Sequence, residues 1–216
     1  MSKISSIKKA INITEAGMRA AKRNIRVGIS ERQLASKIEQ AMRTAGTDWY
    51  AFPTIVVAHN YKNIHATPTD YKIRKTDTVI VDIGAKVEGH CADMTRTFCL
   101  SPTEKTKKLY NLVKSSQELS ASQLKPRAKA RLVDKVARLF LKKHKLKIPH
   151  SLGHGVGKKV HERPSLKPRS RDKLKLGDVV TIEPGIYLQN VGIRIEDMYL
   201  ITKRGAKKLT KFPNSI

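Results

Sequence analysis

Along residues 5–24 the apolar positions Ile7, Ile11, Ile13, Met18 and Ala21 form a loose stripe at helical spacing, which predicts a first helix. A sharper stripe follows at Leu34, Ile38, Ala41 and Met42. Its start is marked by Ser30-Glu31-Arg32-Gln33, a capping box with Ser30 as N-cap and Gln33 at N3, and Gly46 ends the run. From Phe52 the period changes. Residues 53–57, 78–83 and 95–100 read as strands from their β-branched and aromatic content. Pro102-Thr103 opens a third helix to about residue 122, and a fourth runs over about 130–145. Strand-like segments return at 179–182 and 193–202.

Two helices followed by strands thus occur twice. Residues 25–33 and 124–132 hold equivalent positions between the helices of each pair, so the chain reads as two pseudo-repeated halves of about 1–101 and 102–216. No low-complexity linker divides them. The fold class expected is α+β: one domain over 1–216, with helices covering a curved antiparallel sheet.

Two hairpins carry acids in register. A two-residue turn at Glu88-Gly89 sets Asp93 opposite position 84, so parity places Asp82 and Asp93 on one face as diagonal neighbours. A two-residue turn at Gln189-Asn190 sets Glu183 opposite Glu196. Glu183 closes the apolar run Val179-Val180-Thr181-Ile182, where an unpartnered charge is costly. Four converging carboxylates repel one another, and two divalent cations would remove that repulsion. Oxygen ligands with one imidazole suit Mn, Co, Fe or Zn. The imidazole is His154, set among glycines in Gly153-His154-Gly155-Val156-Gly157, a run that opposes a helix.

Bulk properties narrow the setting. Hydrophobic residues make up 39% of the chain, which favours a globular fold over disorder. No apolar run approaches the roughly 20 residues that span a bilayer, and the N-terminus lacks the apolar region of a signal peptide, so no membrane role and a cytoplasmic location are expected. Cys91 and Cys99 would lie about 25 Å apart if extended and are expected as free thiols. The 44 Lys and Arg against 18 Asp and Glu give a net charge of +26, spread along the chain. Such a field suits weak association with RNA or a ribosome, although no aromatics interleave with it as on a base-stacking platform.

Five ordered segments carry a resemblance over about residues 7–212: Asp82-Ile83-Gly84-Ala85, Ala92-Asp93-Met94-Thr95-Arg96-Thr97, Gly153-His154-Gly155-Val156-Gly157, Thr181-Ile182-Glu183-Pro184-Gly185 and Arg194-Ile195-Glu196-Asp197. Together they resemble the pita-bread metallopeptidases, which comprise methionine aminopeptidases, aminopeptidase P and prolidases. The resemblance implies the pita-bread fold and a site for two divalent metal ions. Asp82 would bind one ion, His154 and Glu183 the other, and Asp93 and Glu196 would bridge them. It implies hydrolysis of the N-terminal peptide bond of a peptide substrate by a water activated between the ions, with Glu183 as proton acceptor and carrier. His65 and His161 would act on the transition-state side, and His65, His150, His161 and Arg194 would line the substrate side.

Arg194, two residues before Glu196, resembles the proline-directed branch, as do His150 and the segment from Met94 to Thr97. Cleavage of Xaa-Pro peptides by a monomer or homodimer is therefore the leading expectation. Removal of initiator methionine is the alternative, and a non-catalytic nucleic-acid- or ribosome-binding module on the same fold is a second. Two departures stand out. Proline-directed relatives usually carry a separate N-terminal domain, whereas this sequence starts at the catalytic domain. Lys125-Pro126-Arg127 also replaces the more usual Pro-Gly between the helices of the second pair.

Overall fold

A computed structural model describes residues 2–216. Helix α1 (Lys3–Asn24) starts ahead of the apolar stripe because Ser2 caps it, its hydroxyl accepting from the Ser5 amide. Helix α2 (Glu31–Thr44) has both bonds of the capping box: the Ser30 hydroxyl accepts from the Gln33 amide, and the Gln33 side chain accepts from the Ser30 amide, each at 3.0 Å. Helices α3 (Glu104–Ala121) and α4 (Ala130–Lys143) form the second pair. The first half also contains β1 (Trp49–Tyr50), β2 (Ile55–Val57), β3 (Val79–Ile83), β4 (Ala85–Val87), β5 (His90–Cys91) and β6 (Met94–Phe98). The second contains β7 (Gly153–Gly155), β8 (Glu162–Leu166), β9 (Val179–Ile182), β10 (Gly185–Tyr187), β11 (Gly192–Arg194), β12 (Asp197–Thr202) and β13 (Gly205–Lys208).

All the described strand pairs are antiparallel, in the orders β2-β3-β6 and β1-β4-β5, then β13-β12-β9-β7-β8 and β10-β11. The stripe of α1 packs on α2, β3 and β4, around a core that includes Ile7, Met18, Leu34 and Val81. Helices α3 and α4 cover the second half, around Val113, Val133, Leu141 and Ile182. Val156, Val179, Met198 and Phe212 of the second half join the first half's core, so the two halves share an interior. None of the helices among the described residues is long and apolar enough to cross a membrane. Both cysteines are free.

Both hairpins turn where parity placed them. The pairs Lys86–Cys91 and Val87–His90 leave Glu88-Gly89 as the turn, and both of these residues have positive φ, as a tight hairpin turn requires. The pair Tyr187–Gly192 and the bond from the Leu188 amide to the Val191 carbonyl leave Gln189-Asn190.

The expected strand over 193–202 is instead broken between β11 and β12. Pro184, in the matching gap between β9 and β10, has no amide to donate, and the Glu196 amide turns to the Thr95 carbonyl of the other half at 3.1 Å. The break lets equivalent residues of the two halves meet. Thr95 donates to Glu196, 101 residues away, at 2.8 Å. Arg96 pairs with Asp197, also 101 residues away, at 2.7 Å. The Arg96 guanidinium is buried and donates as well to the carbonyls of Thr95, Glu196, Phe212 and Pro213, so no buried donor there is stranded.

Candidate metal centre

The five predicted ligands converge where the halves meet. Asp82 comes from β3, Asp93 from the approach to β6, and His154 from the middle of β7. Glu183 and Glu196 follow β9 and precede β12. One oxygen or nitrogen each of Asp82, Asp93 and Glu196 lies within 4.8 Å of the others, as do those of His154, Glu183 and Glu196, and of Asp93, His154 and His161. Asp93, His154 and Glu196 therefore each belong to two clusters.

His154 reaches this point through its glycines. A Cβ at Gly153 would collide with the Thr181 carbonyl, and one at Gly155 with the Arg163 carbonyl, so only glycine lets β7 run this close to its neighbours. The Gly155 carbonyl, which can only accept, lies 3.2 Å from His154 Nδ1. That fixes the proton on Nδ1 and turns Nε2 to Glu183 at 3.3 Å and Asp93 at 3.5 Å.

The electrostatics describe carboxylates short of positive charge. Burial pushes Asp82 up, against the opposing charge of Arg194. Burial, then the charges of Glu196 and Asp82, push Asp93 well above the carboxylate range. Burial and the charge of Glu183 push Glu196 up to about 8. Burial would depress His154, but its hydrogen bond to Glu183 and that residue's charge raise it to about 9. Burial likewise opposes ionisation of Glu183, and His154 outweighs it and holds the acid below its usual value. Asp82 Oδ1 and Glu196 Oε1 are buried acceptors with no hydrogen-bond partner. Two orphaned carboxylate oxygens amid four acids fit a site that holds divalent cations.

Other residues flank the cluster. A cavity of about 360 Å³ is walled by Phe52, Pro53, Ile55 and His65 and by the four acids, His154 and His161. His65 and His161 are exposed to it, and the His161 ring meets His154 edge-on at 4.2 Å. An adjoining lobe is lined by His150, His161 and Arg194. The Arg194 guanidinium is buried and already committed: Nη2 donates to Asp82 at 2.6 Å, Nη1 to the Tyr187 hydroxyl at 2.9 Å, and Nε to Thr95 at 3.2 Å. Tyr187 in turn lies 2.9 Å from His150 Nε2, and His150 Nδ1 faces the Ser151 carbonyl at 2.7 Å. Burial lowers the pKa of His150, which favours its neutral ring in this chain of bonds.

Two contributors escaped the sequence pattern. Tyr187 joins Arg194 to His150, and only the hairpin register hints that it faces them. Glu31 looks like an ordinary acid in the first turn of a helix. It is in fact buried, accepting from the Ala58 amide at 2.7 Å and the Thr69 amide at 3.0 Å, and so pins both ends of the loop that carries His65.

A sequence profile of metallopeptidase family M24 matches residues 5–203. The chain belongs to metallopeptidase family M24. Among family members, an Xaa-Pro dipeptidase of Pyrococcus horikoshii is 39% identical over 214 residues, covering 96% of this chain and 61% of its own. An uncharacterised peptidase of Methanocaldococcus jannaschii is 42% identical over 216 residues, covering 96% of this chain and 62% of its own. Of solved family structures, the prolidase from Pyrococcus furiosus superposes with a TM-score of 0.95 at 38% identity, over 98% of this chain and 64% of that one. An X-Pro aminopeptidase from Thermotoga maritima gives a TM-score of 0.95 at 35% identity, over 99% and 62%. The α+β pita-bread fold expected from the resemblance is thus the fold of this chain. The chain spans about three-fifths of the length of these M24 relatives.

Proposed function

We propose that this M24 chain is a dinuclear metal-dependent aminopeptidase acting on the N-terminal bond of Xaa-Pro peptides. The observation that carries this reading is the linked donor set, in which Asp93, His154 and Glu196 each belong to two clusters and buried oxygens of Asp82 and Glu196 lack partners. Asp82 would hold one ion, His154 and Glu183 the other, and Asp93 and Glu196 both. Bound there, two divalent cations (Mn, Co, Fe or Zn) would lower the pKa of a water and polarise the scissile carbonyl.

The chain's own residues do the rest. Glu183, at the cavity wall, takes a proton from the attacking water and delivers it to the leaving nitrogen. His65 and His161, exposed to the same cavity, donate to the developing oxyanion. Phe52, Pro53 and Ile55 give the substrate an apolar wall. Arg194 fixes Asp82 and, through Tyr187, the His150 ring on the substrate side. The proline preference is supported by Arg194 and by relatives named Xaa-Pro dipeptidase and X-Pro aminopeptidase.

The bridging roles are tested with Asp93→Asn. Calorimetric titration of the native chain with Mn should show two ions, and the variant should lose the pair together with turnover. Full turnover by the variant would refute the two-metal reading.

A further inference from the structure

Outside the metal centre, the second half carries a charge pattern that its fold does not require. Every second residue is basic in Lys125-Pro126-Arg127-Ala128-Lys129-Ala130-Arg131, and again in Lys167-Pro168-Arg169-Ser170-Arg171-Asp172-Lys173-Leu174-Lys175. All nine of these cations are exposed, while Ala130, Ser170 and Leu174 between them are buried. The two segments run antiparallel, joined by the Lys129–Lys173 bridge and by amide bonds from Arg127 to Leu174, Leu174 to Ala128, and Ala130 to Asp172. None of the nine makes an ion pair among the described residues. A cavity of about 370 Å³ opens between them, lined by Lys129, Arg131, Arg169, Arg171 and Lys173.

The first half builds the same junction without this charge. Its bridge is Ser30–Lys72, and the matching amide bonds run from Gly28 to Ile73, Ile73 to Ile29, and Glu31 to Tyr71. Three differences then stand out. Gly28 takes a positive φ of 84° at no steric cost, whereas the second half sets Arg127 at φ 68° in the same position, a conformation that costs a non-glycine residue about 1 kcal/mol or more. Ser30 caps α2 and Glu31 follows it, whereas Lys129 offers α4 no side-chain cap and its first turn holds Arg131 and no acid. Cations at a helix start oppose its dipole. Finally, Arg32 and Asp70 form an ion pair at 3.1 Å, and their equivalents are Arg131 and Arg171, two like charges on one cavity. The cavity's one acid, Asp172, is already engaged, accepting from the Ser165 amide at 2.8 Å and meeting Arg163 at 3.3 Å.

We propose that this paired basic ribbon is a binding surface for duplex nucleic acid, read through its phosphates without regard to sequence. An anion between Arg131 and Arg171 would offset two of these features, the uncapped cationic helix start and the pair of like charges. Five of the exposed cations, Lys129 and Arg131 from one segment and Arg169, Arg171 and Lys173 from the other, line one cavity, where they can meet neighbouring phosphates. Neither segment contains an aromatic residue on which an unpaired base could stack, which favours a duplex over a single strand. The surface lies on the loop after β8 and at the start of α4, and it shares no residue with the metal centre.

The test replaces three residues by their first-half equivalents: Arg127→Gly, Lys129→Ser and Arg171→Asp. Each substitution restores a feature the fold already uses, so thermal stability and peptidase turnover should hold or rise. A control variant, Lys105→Gln, Lys108→Gln, Lys203→Gln and Arg204→Gln, removes the same net charge elsewhere. Fluorescence anisotropy with labelled duplex DNA and duplex RNA of unrelated sequences should show binding that weakens steeply with salt. The ribbon variant should bind at least about tenfold more weakly, with a log–log salt slope shallower by about 3, and the control less than about threefold more weakly. Preference for duplex DNA or duplex RNA would name the source. Equal losses in the two variants would overturn the proposal. So would tighter binding to a single strand, to polyglutamate or to phosphatidylserine vesicles.

Discussion

Asp93 is surrounded by Asp82, Glu183 and Glu196, and burial together with their charges drives its carboxyl strongly towards the protonated form. Without metal such a residue destabilises the fold that holds it. Asp93→Asn keeps the shape and removes the charge. In metal-free protein it should raise unfolding stability by about 1–2 kcal/mol in urea titrations, while abolishing the rise in melting temperature that Mn gives the native chain. A less stable metal-free variant would mean that Asp93 is better compensated than its neighbours indicate. Arg194 is the counterpart at the adjoining lobe. Its donors are spent on Asp82, Tyr187 and Thr95, so it orients other groups and presents its edge to the cavity.

At the level of elements, the site depends on how closely strands approach. Gly153→Ala adds one methyl against the Thr181 carbonyl and must push β7 from β9. We expect a loss of about 2 kcal/mol or more by urea unfolding, with weakened metal binding because His154 moves with the strand. The hairpin tip at Glu88 makes a pH prediction. Hydrogen bonds from Lys9 and Ser6, which tie the tip to α1, hold its carboxyl below the ordinary 4.5. A depressed folded-state pKa gives stability that is present above the unfolded value and is lost as pH falls through the folded one. Glu88→Gln should therefore be slightly less stable than the native chain at pH 7, and the gap should close as pH falls below about 4. A gap that widens in acid would reverse that sign.

Both hairpins were legible in the sequence because strand parity is local: a two-residue turn sets every facing pair, and Glu183 opposite Glu196 follows. β7 and β8 were not, because Gly153 and Gly155 offer no side-chain alternation and are required by a neighbouring strand. The break at Glu196 was hidden for a related reason, since its amide bonds Thr95 in the other half.

Taken whole, the molecule is two similar halves joined through equivalent residues, Thr95 with Glu196 and Arg96 with Asp197, and the candidate metal centre lies on that seam. The halves differ in charge at their inter-helix junctions, where Gly28 and Ser30 have Arg127 and Lys129 as counterparts. The repeat was visible in the order of helices and strands, but not the contacts across the seam, which link residues about a hundred positions apart with no local pattern to announce them. The chain spans three-fifths of its M24 relatives, so the activity of this chain by itself is the central question. It is answered most directly by assaying the chain, loaded in turn with Mn, Co, Fe and Zn, on Ala-Pro-type and Met-Ala-type peptides. The account predicts that kcat/KM for the Ala-Pro peptide exceeds that for Met-Ala by at least about tenfold with the best metal, and that chelation abolishes it. Cleavage of Met-Ala alone, or Ala-Pro turnover that survives chelation, would contradict it.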